Sequence, residues 1–476
     1  MLDLDTTHPY YLGGEPQVPN RGMAVLDKYR GMPVTYVARA DANAVRQAIC
    51  RAAAAAQEMQ ALKVYQRQAI LRQVARLIEK RRDELAELIC VEAGKPVVVS
   101  RAEVQRAIDT FDMSAEACGQ VGGEVLPLDL TERAAQHMGM TRRVPVGPCA
   151  LITPFNFPLN LVAHKVAPAI AAGCPFVLKP SPQTPLSAIA LGQMLKQTDL
   201  PPGSWSIVTC SNEDAAPLIE DDRIRLLSFT GSDTVGWALK AKSGKKKVLL
   251  ELGGNAAVIV DRDWDVADAL DRIVFGTFYQ SGQSCISVQR ILVHDDLYDH
   301  FRHRLIESAR RLKTGDPRDE QTTIGPMISE HAAERLVAQV QAAVEQGGRL
   351  LCGGKRQGAM VEPTVLEDVP EGCEVVREEA FGPVAVLSRF HVFKHALDQV
   401  NRSRFGLQAG VFTRDLGHAY QAWDELEVGT VLIGDVPSWR VDHMPYGGVK
   451  DSGLGREGPR YAIEAMTELR LMVVRR

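Results

Sequence analysis

From about residue 145 the chain settles into short apolar runs: "CALIT" (149–153), "CPFVLK" (174–179), "WSIVT" (205–209), "IRLLSF" (224–229), "VLLEL" (248–252) and "AAVIV" (256–260). Helix-forming or turn-rich stretches separate most of them. Parallel strands, buried on both faces, read as such continuous apolar runs and need crossover connections. The alternation therefore predicts helices packed on a largely parallel sheet. A second series near 290–293, 384–387, 407–413 and 430–434 repeats the pattern, which predicts two α/β units. At 476 residues the chain has room for both, since length alone allows about two to four domain-sized units.

The flanks read differently. Between 68 and 96, Ile70, Val74, Leu77, Ile78, Leu85, Leu88 and Ile89 recur at helical spacing, which predicts one amphipathic helix ended by Gly94 and Pro96. "RAAAAAQ" (51–57) is a good helix former. Residues 123–144 alternate poorly and read as an extended arm, and "LRLMVVRR" reads as a terminal strand able to pair with another element or subunit.

Hydrophobic residues at 45% and charged residues at 24% fit a soluble protein with a large core. A net charge of −4 gives no electrostatic case for nucleic acid, and "KKK" at 245–247 reads as solvated surface. The N-terminus lacks the pattern of a signal peptide, and no apolar stretch approaches a membrane span. The nine cysteines form no C-x-x-C pair, so neither zinc nor a disulfide framework is expected, and a cytoplasmic location is.

Several segments carry candidate chemistry. "GLGREG" (453–458) fits G-x-G-x-x-G, but a loop precedes it where a nucleotide fingerprint needs a strand. Cys285, in "GQSC", lies among small and polar residues that would let a substrate approach a thiolate; a structural cysteine is the alternative. Glu251 follows an apolar strand and precedes Gly253 and Gly254, whose backbone freedom would suit a general base at a pocket; an edge carboxylate beside a turn is the alternative. Asn156, held between Pro154 and Pro158, could donate to an oxyanion or simply occupy a turn. Lys179 ends a strand, where α/β sheets place ligands, or is an ordinary solvated lysine.

Taken in order, "TPFNFP", "LKPS", "FTGS" (229–232), "ELGG" (251–254), "GQSC" (282–285), "EEAFGPV" (378–384) and "PYGGVKDSGLGREG" (445–458) resemble the aldehyde dehydrogenase superfamily over almost the whole chain. The resemblance implies a Rossmann-like cofactor-binding domain (1–122 and 145–252), an α/β catalytic domain (253–458) and a β oligomerisation arm (123–144 and 459–476) in a homodimer or homotetramer. It implies Cys285 as nucleophile, Glu251 as the deacylating base and Asn156 as a donor in the oxyanion hole, with Glu457 a lesser candidate for proton relay. It places NAD or NADP against Ile152, Thr153, Pro154, Lys179, Ser181, Phe229, Gly231, Ser232, Leu252, Glu379 and Phe381, and it implies no metal. The expected reaction oxidises an aldehyde to an acid through a thiohemiacetal and a thioester.

"DVPSWRVDHMPYGG" (435–448) is similar to the branch that includes lactaldehyde and non-phosphorylating glyceraldehyde-3-phosphate dehydrogenases. Arg440 would suit a short substrate with an anionic or hydroxylated tail: lactaldehyde, glyceraldehyde or its phosphate, succinate semialdehyde, or a phosphono- or sulfo-acetaldehyde. An ion pair of Arg440 with Asp435 or Asp442 is the structural alternative. Pro182 stands where NAD-preferring relatives often carry a glutamate, and "VTCSNEDAAPL" (208–218) lacks the usual glycine pair, so neither cofactor is favoured. A CoA-acylating relative would commonly lack the acid at position 251, a cysteine hydrolase would want a histidine in these motifs, and a non-catalytic relative would have lost Cys285, Glu251 or Asn156.

Overall fold

The apolar runs form the strands expected of them. In the computed structural model, which describes residues 6–475, the first sheet is built on β1 (Cys149–Ile152), β2 (Phe176–Lys179), β3 (Trp205–Ile207), β4 (Leu226–Thr230) and β5 (Lys247–Glu251). These strands are parallel and lie in the order β5-β4-β1-β2-β3. Antiparallel Gly453–Leu454 flanks β5, and Tyr10–Leu12 flanks β3. The chain winds outward from β1 to β3, then crosses back to lay β4 on the other side of β1. That reversal opens a crevice at the carboxyl ends of β1 and β4, where open α/β sheets bind ligands. Register puts Ile152 beside Lys179 and Phe229, and Thr230 beside Glu251. Residues far apart in sequence thus share one sheet edge.

The second sheet holds β6 (Ala257–Val260), β7 (Arg290–His294), β8 (Thr364–Glu367), β9 (Val384–Phe390), β10 (Gln408–Phe412) and β11 (Thr430–Ile433). Their order is β8-β9-β7-β6-β10-β11, with antiparallel Arg349–Cys352 outside β8.

The helix expected over 68–96 is two: α1 (Val64–Lys80) and α2 (Arg82–Ala93). The chain leaves helical geometry at Arg81, whose guanidinium pairs with Glu84 and binds Gln193. Ile78 and Leu85 still face one core across the break, so the periodicity runs through it unmarked. Gly94, at φ 68°, ends α2 as expected, but Pro96 opens the next helix, α3 (Val97–Ala117). α4 (Asn160–Ala172) is buried at every position and brings Asn160, His164 and Lys165 inside with it. A helix without a solvent face belongs wholly to the interior, and its polar residues need partners there.

Residues Val125–Pro127, His137–Pro145 and Thr467–Arg475 make a separate antiparallel sheet. The last strand pairs with its neighbour from Thr467↔Pro145 to Arg475↔His137. Its other edge has no partner among the described residues, and Leu469, Leu471, Met472 and Val473 are exposed. No helix among the described residues is long and apolar enough to cross a membrane.

Candidate active site

The stretch before Cys285 is unusual backbone. After α6 (Val266–Phe278), Gln280, Ser281 and Gly282 lie in the left-handed region, at φ 52°, 57° and 66°. Residues other than glycine rarely adopt it and need outside support to stay there. The side chains supply that support. Gln280 Nε2 donates to the Asn156 carbonyl, Ser281 Oγ donates to Gly325 O at 2.8 Å, and Gln283 Oε1 accepts from Ile328 N at 2.8 Å. Tyr279 Oη meets Ser284 Oγ at 2.6 Å. A Cβ on Gly282 would stand 2.1 Å from Gly382 O, so this position admits only glycine.

Cys285 faces a cleft of about 940 Å³ that Asn156, Glu251, Glu379 and Arg440 also line. Its Sγ lies 3.0 Å from Tyr446 Oη. Burial pushes the thiol up to about 12, against the Tyr446 hydrogen bond and the Arg440 charge. Among the described residues none accepts from the Cys285 backbone N–H. Asn156 Nδ2 gives one hydrogen to Gln283 O at 3.1 Å, so its amide is partly engaged and keeps a single free donor. Its anchor is more than the two prolines. α4 begins four residues on, and the buried Glu103 caps that start, with Oε1 accepting from Leu159 N (2.9 Å) and Asn160 N (3.1 Å). Glu103 is ion-paired with buried Lys95, whose ammonium sits 3.9 Å over the Phe157 ring.

Glu251 closes β5 with Oε2 buried and unbonded. Burial, then the charge of Glu457, raises its pKa well above the carboxylate range. Glu457 is pulled the other way: Lys165 Nζ lies 3.0 Å from its Oε1 and also reaches Ser228 Oγ at 2.8 Å. Two buried acids with pKa values driven apart are the signature of divided acid–base roles. Gly253 and Gly254 do not use the freedom expected of them, since neither has positive φ. They permit close approach instead. A Cβ would lie 2.5 Å from Glu379 Oε2 at Gly253 and 2.8 Å from Cys285 O at Gly254.

A half-buried thiol, an amide and a high-pKa carboxylate converge on one cleft beside a doubly wound sheet. The Aldehyde dehydrogenase family model matches residues 15–472. The chain belongs to the aldehyde dehydrogenase family. It is 42% identical over 465 residues to the 3-sulfolactaldehyde dehydrogenase of Priestia aryabhattai, covering 98% of this chain and 97% of that one. Among solved structures it resembles aldehyde dehydrogenase 21 of Physcomitrella patens in complex with the product succinate, at TM-score 0.97 and 45% identity, over 99% of this chain and 98% of the other. The glyceraldehyde-3-phosphate dehydrogenase GapN of Methanocaldococcus jannaschii, complexed with NADP, matches at TM-score 0.92 and 37% identity, over 96% and 100%.

In this aldehyde dehydrogenase Arg440 pairs with neither Asp435 nor Asp442, contrary to the structural alternative. Arg272 takes Asp435 with two bonds of 2.8 Å, and Asp442 is held by Arg106 (2.7 Å), His164 (2.8 Å) and Asn160 (3.2 Å). Arg440 instead lies 3.6 Å over the Tyr446 ring, 3.2 Å from His164 Nε2 and 3.5 Å from Glu457 Oε2, with its Nε buried and unbonded. The sequence reading missed His164, Lys165 and Arg106. The first two sit in an otherwise apolar helix and the third on α3, with no local motif around any of them.

Pro154, Gly231, Ser232, Leu252, Glu379 and Phe381 line the cleft, whereas Ile152, Thr153, Lys179, Ser181 and Phe229 stand outside it. Phe229 packs with Leu250 and Leu252, and its ring lies where a Cβ on Gly231 would be, at 2.5 Å. Ser232 is the N-cap of α5 (Asp233–Lys242) without a side-chain capping bond. Glu379 Oε1 accepts from Gly254 N at 3.0 Å, and Phe381 meets Phe155 edge-on at 5.7 Å. Lys179 is buried and its pKa lowered by desolvation, with Glu213 among the charges acting on it.

Proposed function

We propose that this enzyme oxidises a short aldehyde with an anionic or hydroxylated tail to its acid, with Cys285 as nucleophile, Asn156 and the Cys285 N–H as oxyanion donors and Glu251 as deacylating base. The convergence of Cys285, Asn156, Glu251 and Arg440 on one cleft carries the reading. Attack of the thiolate on the carbonyl carbon places negative charge on oxygen. The free Asn156 N–H and the unengaged Cys285 N–H are positioned to meet it, each worth roughly 3–4 kcal/mol when lost. Glu251, ionised, then takes a proton from the water that splits the thioester.

The residues fit a nicotinamide dinucleotide. Thr230 Oγ1, at the carboxyl end of β4 and lining the cleft, is buried without a partner, and a polar group so placed calls for a ligand. Lys179 would hold the adenosine ribose and Glu379 the nicotinamide ribose. NAD or NADP, when bound, supplies the hydride acceptor. The chain up to 122 with 145–252 would form the cofactor domain, 253–458 the catalytic domain, and 123–144 with 459–476 the arm of a homodimer or homotetramer. The unpaired edge of Thr467–Arg475 supports that arm. Free thiols at all nine cysteines suit the reducing cytoplasm.

The tail reading rests on Arg440 and on relatives named for sulfolactaldehyde and glyceraldehyde-3-phosphate, or holding succinate. The test is reduced-nicotinamide formation with NAD and NADP, without CoA, on anionic, hydroxylated and plain aldehydes of equal length. Anionic or hydroxylated substrates should lead, and Cys285→Ala should be inactive. Equal turnover of plain aldehydes would remove Arg440 from substrate recognition. Activity only with CoA would favour acyl transfer.

A further inference from the structure

The reacting sulfur has one hydrogen-bond partner among the described residues, and it is not a histidine. Tyr446 Oη lies 3.0 Å from Cys285 Sγ, in the cleft that Glu379 and Glu251 also line. Tyr446 is held firmly. Its N–H donates to Glu457 O (3.1 Å), its carbonyl accepts from Glu457 N (2.6 Å), and its ring packs with Ile286 and Leu407. The Arg440 guanidinium covers one ring face at 3.6 Å.

We propose that Tyr446 is a catalytic residue whose hydroxyl donates to the Cys285 thiolate, and that Arg440, through the Tyr446 ring, strengthens that donor. The proposal rests on Cys285 being the nucleophile. A half-buried thiolate that shares its cleft with two carboxylates is costly unless a donor and a positive charge stand close. The hydroxyl supplies the donor at the sulfur itself, and hydrogen bonds to an ionised partner are the strong ones. A cation over an aromatic face withdraws electron density from the ring and makes its O–H a better donor. Tyr446 does not act as the base. Burial and the thiolate's charge keep its proton in place well above the usual phenol range, with Arg440 opposing and Glu251 adding to the effect. The thiol proton leaves to another base, and the phenol remains a donor throughout.

Alkylation by iodoacetamide, a neutral reagent that needs only the thiolate, tests this without any aldehyde or cofactor. The rate at Cys285 would be followed by mass spectrometry from about pH 6 to about pH 10, spanning the ordinary thiol range, in wild type, Y446F and R440Q. Y446F should react about tenfold more slowly throughout this range, which lies below the raised value of the Cys285 thiol, corresponding to roughly one pKa unit. R440Q should shift in the same direction by less. In turnover, Y446F should lower kcat while KM stays within about twofold, as expected when an interaction serves the reacting state. Superimposable alkylation profiles, or a KM that rises as much as kcat falls, would overturn the proposal. If Y446F fails to fold, Y446L removes the same hydroxyl and is read by the same criteria. Aldehyde oxidation surviving Cys285→Ala would overturn the nucleophile assignment instead, and the alkylation profile would still decide whether Tyr446 holds the thiolate.

Discussion

Glu251 and Glu457 show how one enclosed site can hold two carboxylates in different states. Glu251 works as a base only when ionised, and its raised pKa means the ionised fraction falls as pH drops through a range above ordinary carboxylate values. Glu457→Gln removes a negative neighbour and leaves Lys165, Arg440 and Arg456 acting on Glu251. The acid limb of thioester hydrolysis, followed on preformed acyl-enzyme, should therefore move to lower pH; a limb that stays or rises would count against Glu251 as the base. Glu251→Gln should keep a burst of reduced nicotinamide while steady turnover falls roughly 10²–10⁴-fold, the span of a lost general base, and the acyl-enzyme should be visible by mass. Cys285, Glu251 and Asn156 were candidates with structural alternatives when taken singly, and were picked out together by the order of their motifs, which resembles the family's; the structure brings all three to one cleft. His164 and Lys165 were not legible, since a polar residue in an apolar helix carries no local sign of its partners. Arg440 was legible as a charge, but that neither Asp435 nor Asp442, its alternative partners, takes it was not, because Arg272 and Arg106 already hold them.

At the scale of elements, the donor amide depends on a helix start rather than on its own loop. Glu103 caps the first turn of α4, and Lys95 neutralises Glu103 with both side chains closed off from solvent. Glu103→Gln would leave Lys95 a buried cation without a counter-charge, a change of about 3–5 kcal/mol. Denaturant unfolding should show that loss, and Lys95→Met with Glu103→Gln should recover most of it; an unchanged midpoint in the single variant would show that the pair does not hold the helix start. The strands of both sheets were readable as apolar runs, and the arm as a stretch without a period. The break at Arg81 was not, because Ile78 and Leu85 keep one face across it. Gly253 and Gly254 were seen but explained wrongly: what they avoid is a clash with Glu379 and Cys285, and such clearances arise only once distant segments meet.

At the scale of the whole molecule, Thr467–Arg475 offers an unpaired strand edge and exposed apolar side chains on a nine-residue span. A chain ended after Met466 should run as a smaller species by light scattering, and an unchanged assembly would show that subunits meet elsewhere. The same strand governs the order of events during synthesis. Its partner, His137–Pro145, is made more than 300 residues earlier, and β5 likewise waits for Gly453–Leu454 to cover its edge. Translation proceeds from the N-terminus, and domains form as they emerge. Both sheets must therefore spend most of that time with an open side. His137–Pro145 must wait, one edge open, through the synthesis of everything that separates it from Thr467–Arg475.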